Sequence, residues 1–268
     1  MSGSSRRTHR RPRPTGLLAA APWLFGAALL LGWALFVALA APPPYLMPSP
    51  AAVAGRLASS LANPGFWPYV STTFAAALGG CALGVAVALP MAIGIHRSRF
   101  LSAAITPFLG ATQAIPAIAI APLLAIWVGY GLGPIVLLCA LMVFFPILVS
   151  SVVGLRHVDP DVVDAARMDG AGRLALLAFI ELPLALPNVL AGLRNGFALS
   201  VTGAVVGEMV MGGAGLGQLL TVQRDAVDTA GMFATIAVLC ALASGLYGLV
   251  YLVERRSPTL AALRRSDR

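Results

Sequence analysis

The 268-residue chain contains no lysine; all 18 of its basic residues are arginine. That absence excludes a P-loop, whose GxxxxGK[ST] motif needs a lysine on the phosphates. It also excludes Schiff-base chemistry, which needs a lysine amine. Charge of either sign is scarce, at 10% of residues, where a soluble globular domain carries about 25%. The deficit argues against a soluble enzyme, a nucleic-acid-binding domain and a disordered chain. Cysteine is rare as well. Cys81, Cys139 and Cys240 are odd in number and each lies in an apolar run. Their spacing fits no zinc template and no disulfide framework, so they read as small buried hydrophobes. His9, His96 and His157 are far apart in sequence. They suggest no catalytic triad and no metal site within a membrane span.

What the chain has instead is hydrophobicity, at 59% of residues. Residues 14–55, 57–95 and 100–155 contain no Asp, Glu or Arg. The arginines gather at the ends: Arg6, Arg7, Arg10, Arg11 and Arg13, then Arg255, Arg256, Arg264, Arg265 and Arg268. Basic ends around long apolar runs follow the positive-inside rule of membrane proteins. A nucleic-acid footprint would cluster them on one face.

A membrane span needs about 20 apolar residues. The first falls at 17–41 and ends at Pro42-Pro43-Pro44, since proline cannot continue the helical ladder. Its basic flank and Ala38-Leu39-Ala40 resemble a signal peptide. An apolar run of 25 residues, however, exceeds the 7–15 of a signal core, which favours a retained helix. Further spans fall at 69–95, 101–128, 135–155, 186–210 and 231–253, with Gly129–Pro134 as the turn between the third and fourth. The fold class is therefore all-α, an integral membrane protein of six transmembrane helices. Its expected parts are a basic tail at 1–16, the first helix at 17–41 and an external linker at 42–68. A five-span core at 69–254 with a loop at 156–183 follows, then a second basic tail at 255–268. With both termini cytoplasmic, 15 arginines lie inside, Arg56 and Arg224 lie outside, and Arg194 lies within the fifth span. That bias sets the orientation. Gly80-x-x-x-Gly84 permits close helix approach. Pro107, Pro116 and Pro122 sit close together in the third span, where ordinary packing and a shaped pathway both remain open.

The loop at 156–183 carries the most information. Asp159 suits an N-cap and Pro160 the first helical position. Asp161 complements the positive helix end, and Val162, Val163 and Ala166 fall on one face. Gly170 offers a turn or a close approach, and a stop follows at Pro183. A short capped helix between spans suits docking on another protein. Its acidic face makes the anionic inner leaflet a poorer partner.

Asp164-Ala165-Ala166, three residues, Gly170, nine residues and Ile180-Glu181-Leu182-Pro183 reproduce every spacing of a known pattern. It resembles the EAA loop (EAA-x3-G-x9-I-x-LP) of ATP-binding-cassette importer permeases, with Asp164 in place of Glu. Pro48-Ser49-Pro50, Ala121-Pro122-Leu123, Trp127-x-Gly129, Phe144-Phe145-Pro146-Ile147 and Glu208 with Gly215-Leu216-Gly217 extend the likeness over about residues 45–254. Together they resemble the nitrate/sulfonate/taurine-type subfamily. The resemblance implies a type I (MetI-like) permease in a prokaryotic cell membrane. It implies an ATPase subunit in two copies, a second permease copy, more usually a homodimer than a hetero-pair, and an extracytoplasmic solute-binding protein. No cofactor is expected on this chain, because ATP is hydrolysed by the partner. Asp164, Ala165, Ala166 and Gly170 take the coupling contact, while Ile180, Leu182 and Pro183 anchor the loop against the next span. The implied substrate is a small anion such as a sulfonate, taurine or nitrate, or alternatively an aminopyrimidine precursor of thiamine.

Two ionisable residues lie at membrane depth, where charge is costly and invites a functional reading. Arg194 could attract an anion along the path, snorkel to the inner surface, or pair with the loop. Glu208 could line the path or make a structural contact. They lie 14 residues apart, or about 21 Å along a helix, and cannot pair within it. The run Gly212–Gly217 reads as an external turn or re-entrant segment. An ion-gradient transporter is disfavoured because no span centre carries Asp or Glu, and a membrane enzyme because no catalytic cluster exists.

Overall fold

The computed structural model describes residues 16–111 and 116–256, and every regular element among them is helical. The two basic tails lie almost wholly outside the described residues. In order the helices are α1 (Gly16–Ala40), α2 (Pro50–Ala62), α3 (Trp67–Arg97), α4 (Arg99–Ala111), α5 (Ala117–Val128) and α6 (Leu132–Arg156). Then come α7 (Pro160–Met168), α8 (Arg173–Leu176), a π turn (Leu177–Glu181), α9 (Leu182–Met211), α10 (Leu216–Asp225) and α11 (Thr229–Arg256). Among the described residues five apolar segments are long enough to cross a membrane, at α1, α3, α6, α8–α9 and α11.

The core is a sandwich of α3, α6 and α9. Ala88, Ala92 and Ile95 of α3 pack on Val143, Ile147, Leu148 and Val152 of α6. Small residues set the spacing. A Cβ on Gly80 would collide with Cys139, and one on Gly84 would lie 3.1 Å from the Ala140 carbonyl. The pair does bring two helices together, as helix packing in lipid favours. A second cluster joins Ala77, Val201, Leu216, Leu220, Leu239 and Leu246, seating α10 and α11 on this core. α1 stands apart: Trp33 stacks on Phe233 of α11 at 5.6 Å, while Trp23, Phe25 and Leu31 are exposed. An apolar surface all round suits lipid.

Three expectations change. The third span is not one continuous helix. α4 ends at Ala111 and α5 starts after Pro116, which is extended at φ −71°, ψ 116°. A proline has no N–H to give to the helical ladder. The linker at 42–68 contains α2, capped by the Ser49 hydroxyl, which accepts from the Ala52 amide at 3.2 Å. Pro183 does not stop the helix either, for the chain is helical from Arg173 to Met211. Its ring would strike the carbonyl of residue 179 in a regular helix. The wider π turn relieves that clash, with the Leu182 amide donating five residues back to Leu177.

Candidate functional site

α7 and its flanks form the site at one end of the bundle. Asp159 caps α7, its carboxylate accepting from the Asp161 amide at 2.9 Å, and Pro160 takes the first turn. Val163 is buried and Ala166 half-buried, whereas Val162 is 44% exposed. The face expected from sequence is therefore narrower, Val163 with Ala166, because α7 touches the bundle along one edge only. Asp164 and Ala165 point outward. The Asp164 carboxylate accepts from Arg167 at 2.9 Å, one turn on.

Gly170 ends α7 with φ +88°. The Gly170 amide donates to Arg167 and the Ala171 amide to Ala166, both at 3.0 Å. This is a Schellman cap, which needs a left-handed residue at that position. A Cβ there would meet nothing within 4 Å. Gly170 thus serves the backbone turn and not a close approach.

Ile180, Leu182 and Pro183 are half-buried where the π turn enters α9. Between them Glu181 is 3% exposed. It is held by Arg97 at 3.2 Å and His96 at 3.4 Å, both at the end of α3. Arg97 also donates to the Arg173 carbonyl at 2.6 Å. The loop is therefore tied to α3 by charge, a link sequence reasoning missed. The available signal was a lone carboxylate between Asp169 and Glu208. Met168, Leu174 and Phe179 are exposed at this end. Beneath α7 lies a cavity of about 600 Å³, lined by Arg97, Arg99, Arg167 and Arg173 among others.

Arg194 and Glu208 are not brought together. Arg194 pairs with Glu254 of α11 at 3.2 Å and lies over the Tyr247 ring at 5.8 Å. Its partner is thus α11 and not the coupling loop. Glu208 is fully buried toward the opposite end. Its carboxylate accepts from the Thr73 hydroxyl at 2.8 Å and the Gly217 amide at 2.7 Å, while Thr73 accepts from the Leu216 amide at 2.8 Å. Together they cap the start of α10 and lock it to α3 and α9. A Cβ on Gly215 would collide with this carboxylate. Nearby, Arg56 of α2 pairs with Asp228 at 2.6 Å. Burial alone would raise the Asp228 carboxyl, but the Gly231 amide and Arg56 outweigh it and hold it below the usual range. Among the described residues no cluster of His, Cys, Asp or Glu could hold a metal ion.

The model of the binding-protein-dependent transport system inner membrane component family matches residues 80–257. The chain belongs to that family. The riboflavin transport system permease protein RibX of Chloroflexus aurantiacus is 42% identical over 227 residues, 85% of each chain. The formylaminopyrimidine transport permease protein ThiX of Halalkalibacterium halodurans is 32% identical, over 82% of this chain and 88% of its own. The taurine transport system permease protein TauC of Escherichia coli is 29% identical, over 87% and 86%. An inward-facing structure of the MetNI methionine transporter shares the fold, with TM-score 0.62 at 20% identity, covering 72% of this chain and 97% of that one. The permease is thus an ABC importer subunit of type I, a multi-pass membrane protein whose relatives work with ATPase and binding-protein partners. The matched region begins inside α3, so α1 and α2 lie outside it.

Proposed function

We propose that two copies of this permease form the path of an importer for a small planar nitrogen heterocycle, driven by two copies of a separate ATPase. α7 docks in a groove of that ATPase, with Asp164, Ala165, Ala166 and Gly170 as the contact and Ile180, Leu182 and Pro183 as the anchor. The observation that carries this reading is the construction of α7: capped at both ends, tied by Glu181 to α3, and outward-facing at Asp164 and Ala165. ATP binding draws the two α7 helices together, and the Glu181 link carries that motion into α3. The arginine bias supports a cytoplasmic position for α7 and both termini. An extracytoplasmic binding protein delivers substrate at the α10 end.

The heterocycle is supported by the relatives named for riboflavin and formylaminopyrimidine. Reading an anion from Arg194 loses force, because Glu254 already neutralises it. Uptake into proteoliposomes holding the assembled transporter tests both parts. Riboflavin should be taken up with ATP, and taurine should not. Gly170→Asp should leave the permease in the membrane and abolish uptake. Taurine uptake without riboflavin uptake would overturn the substrate class. Normal uptake by Gly170→Asp would overturn the coupling role.

A further inference from the structure

A cavity of about 530 Å³ opens between α6, α9 and α11, away from the coupling loop. Its lining includes Pro146 and Ser150 of α6, Asn195 and Leu199 of α9, and Tyr247 of α11. Asn195 lies 13 residues from the start of α9 and 16 from its end. That is roughly 20 Å from either end, near mid-membrane. Its side chain is exposed. A carboxamide facing hydrocarbon leaves donors and acceptors unsatisfied, so a polar residue at this depth faces a water-filled path or another protein surface. Asn195, Leu199 and Thr202 lie on one face of α9 and all three are exposed. The polar position therefore recurs two turns along.

We infer that this groove is the permease's own contact site for the transported ring, with Tyr247 as the stacking surface and Asn195 and Ser150 as its hydrogen-bonding groups. The inference rests on the heterocycle reading above and locates it. Tyr247 is 43% exposed, and the guanidinium of Arg194 lies over one ring face, fixing the ring while the rest meets the groove. Glu254 neutralises that guanidinium, and the lining carries no charged side chain among the described residues. A Cβ on Gly192 would lie 2.7 Å from the Ser150 Cβ, so α6 and α9 meet closely at the level of this hydroxyl. The volume suits a small molecule, whose sites run about 300–1,000 Å³. An aromatic face, a carboxamide that both donates and accepts, and a hydroxyl match a neutral planar heterocycle. An anion would find no cation there to pair with.

The test uses the permease with the ATPase that co-purifies with it and its binding protein, in proteoliposomes, with riboflavin as the probe. Asn195→Leu and Tyr247→Leu should each cut uptake roughly tenfold or more, while Tyr247→Phe stays near wild type. ATP hydrolysis and size on gel filtration should not change. If the wild-type complex carries no riboflavin, the heterocycle reading falls and the stacking role with it. If the wild type carries riboflavin and the two leucine variants match its rate, the site alone is overturned. It is also overturned if Asn195→Leu separates the two permease copies, because the amide would then join subunits.

Discussion

At the residue scale the buried Glu208 is the sharpest case. From sequence it could line a path or hold a structure, and its side chain in fact closes the α10 cap with Thr73. Removing one member strands buried partners, at about 1–3 kcal/mol each. Thr73→Val and Glu208→Ala should both lower the melting temperature in detergent. Gly215→Ala should do so too, because its methyl group would enter the carboxylate's place. Stability equal to wild type in all three would remove the cap from the account. Asp228 gives a pH prediction. Its folded carboxyl titrates below the unfolded value of about 3.9. The stabilisation it adds is therefore complete above that value and is lost as pH falls through the lower, folded one. Spin-label mobility on α2 should stay constant from pH 7 to pH 5 and rise only below about pH 4. In Asp228→Asn it should be high throughout. Glu181 shows what sequence hides. Its place in the motif was legible, but its partners, His96 and Arg97, lie over 80 residues away. Only the fold brings them together.

At the element scale legibility followed local chemistry. α7 was readable because its caps are short-range: Asp159, Pro160 and Gly170 each act within a few residues. α2 bears the same signature in Ser49 and Pro50, yet four prolines between 48 and 68 masked it as a linker. Pro183 misled in the opposite direction, because a π turn absorbs a clash that would end a regular helix. The break between α4 and α5 follows Pro116, one of three clustered prolines whose effect sequence left open. Two variants separate backbone from contact in α7. Gly170→Ala should strain the Schellman cap at φ +88° by about 1 kcal/mol, and hydrogen exchange should show a loosened C-terminal turn. Asp159→Ala should loosen the first turn by about 1 kcal/mol. Equal protection of both turns in wild type and variants would mean that bundle contacts, and not caps, hold α7.

At the scale of the whole molecule, periodicity and hydropathy gave the all-helical membrane class and most of the spans, because the bilayer imposes length directly on sequence. They could not give the packing order. α3, α6 and α9 form the core through glycine contacts between residues far apart in the chain, such as Gly80 with Cys139 and Gly203 with Cys139. Gly80→Leu should therefore prevent stable folding, seen as loss of monodisperse protein in detergent. Substrate choice was not legible in the sequence, because Asn195 and Tyr247 border one groove only once α9 and α11 pack together.

In the function proposed above, α7 couples this permease to a separate ATPase. Co-purification tests it most directly: the permease is expressed with each ATPase of its host, as wild type and with the outward-facing Ala165→Asp change, and the retained partner is identified. One ATPase should stay bound to the wild type and be lost from Ala165→Asp, with the variant still monodisperse. An ATPase held equally by both would contradict the coupling role of α7, as would a wild-type permease that retains none.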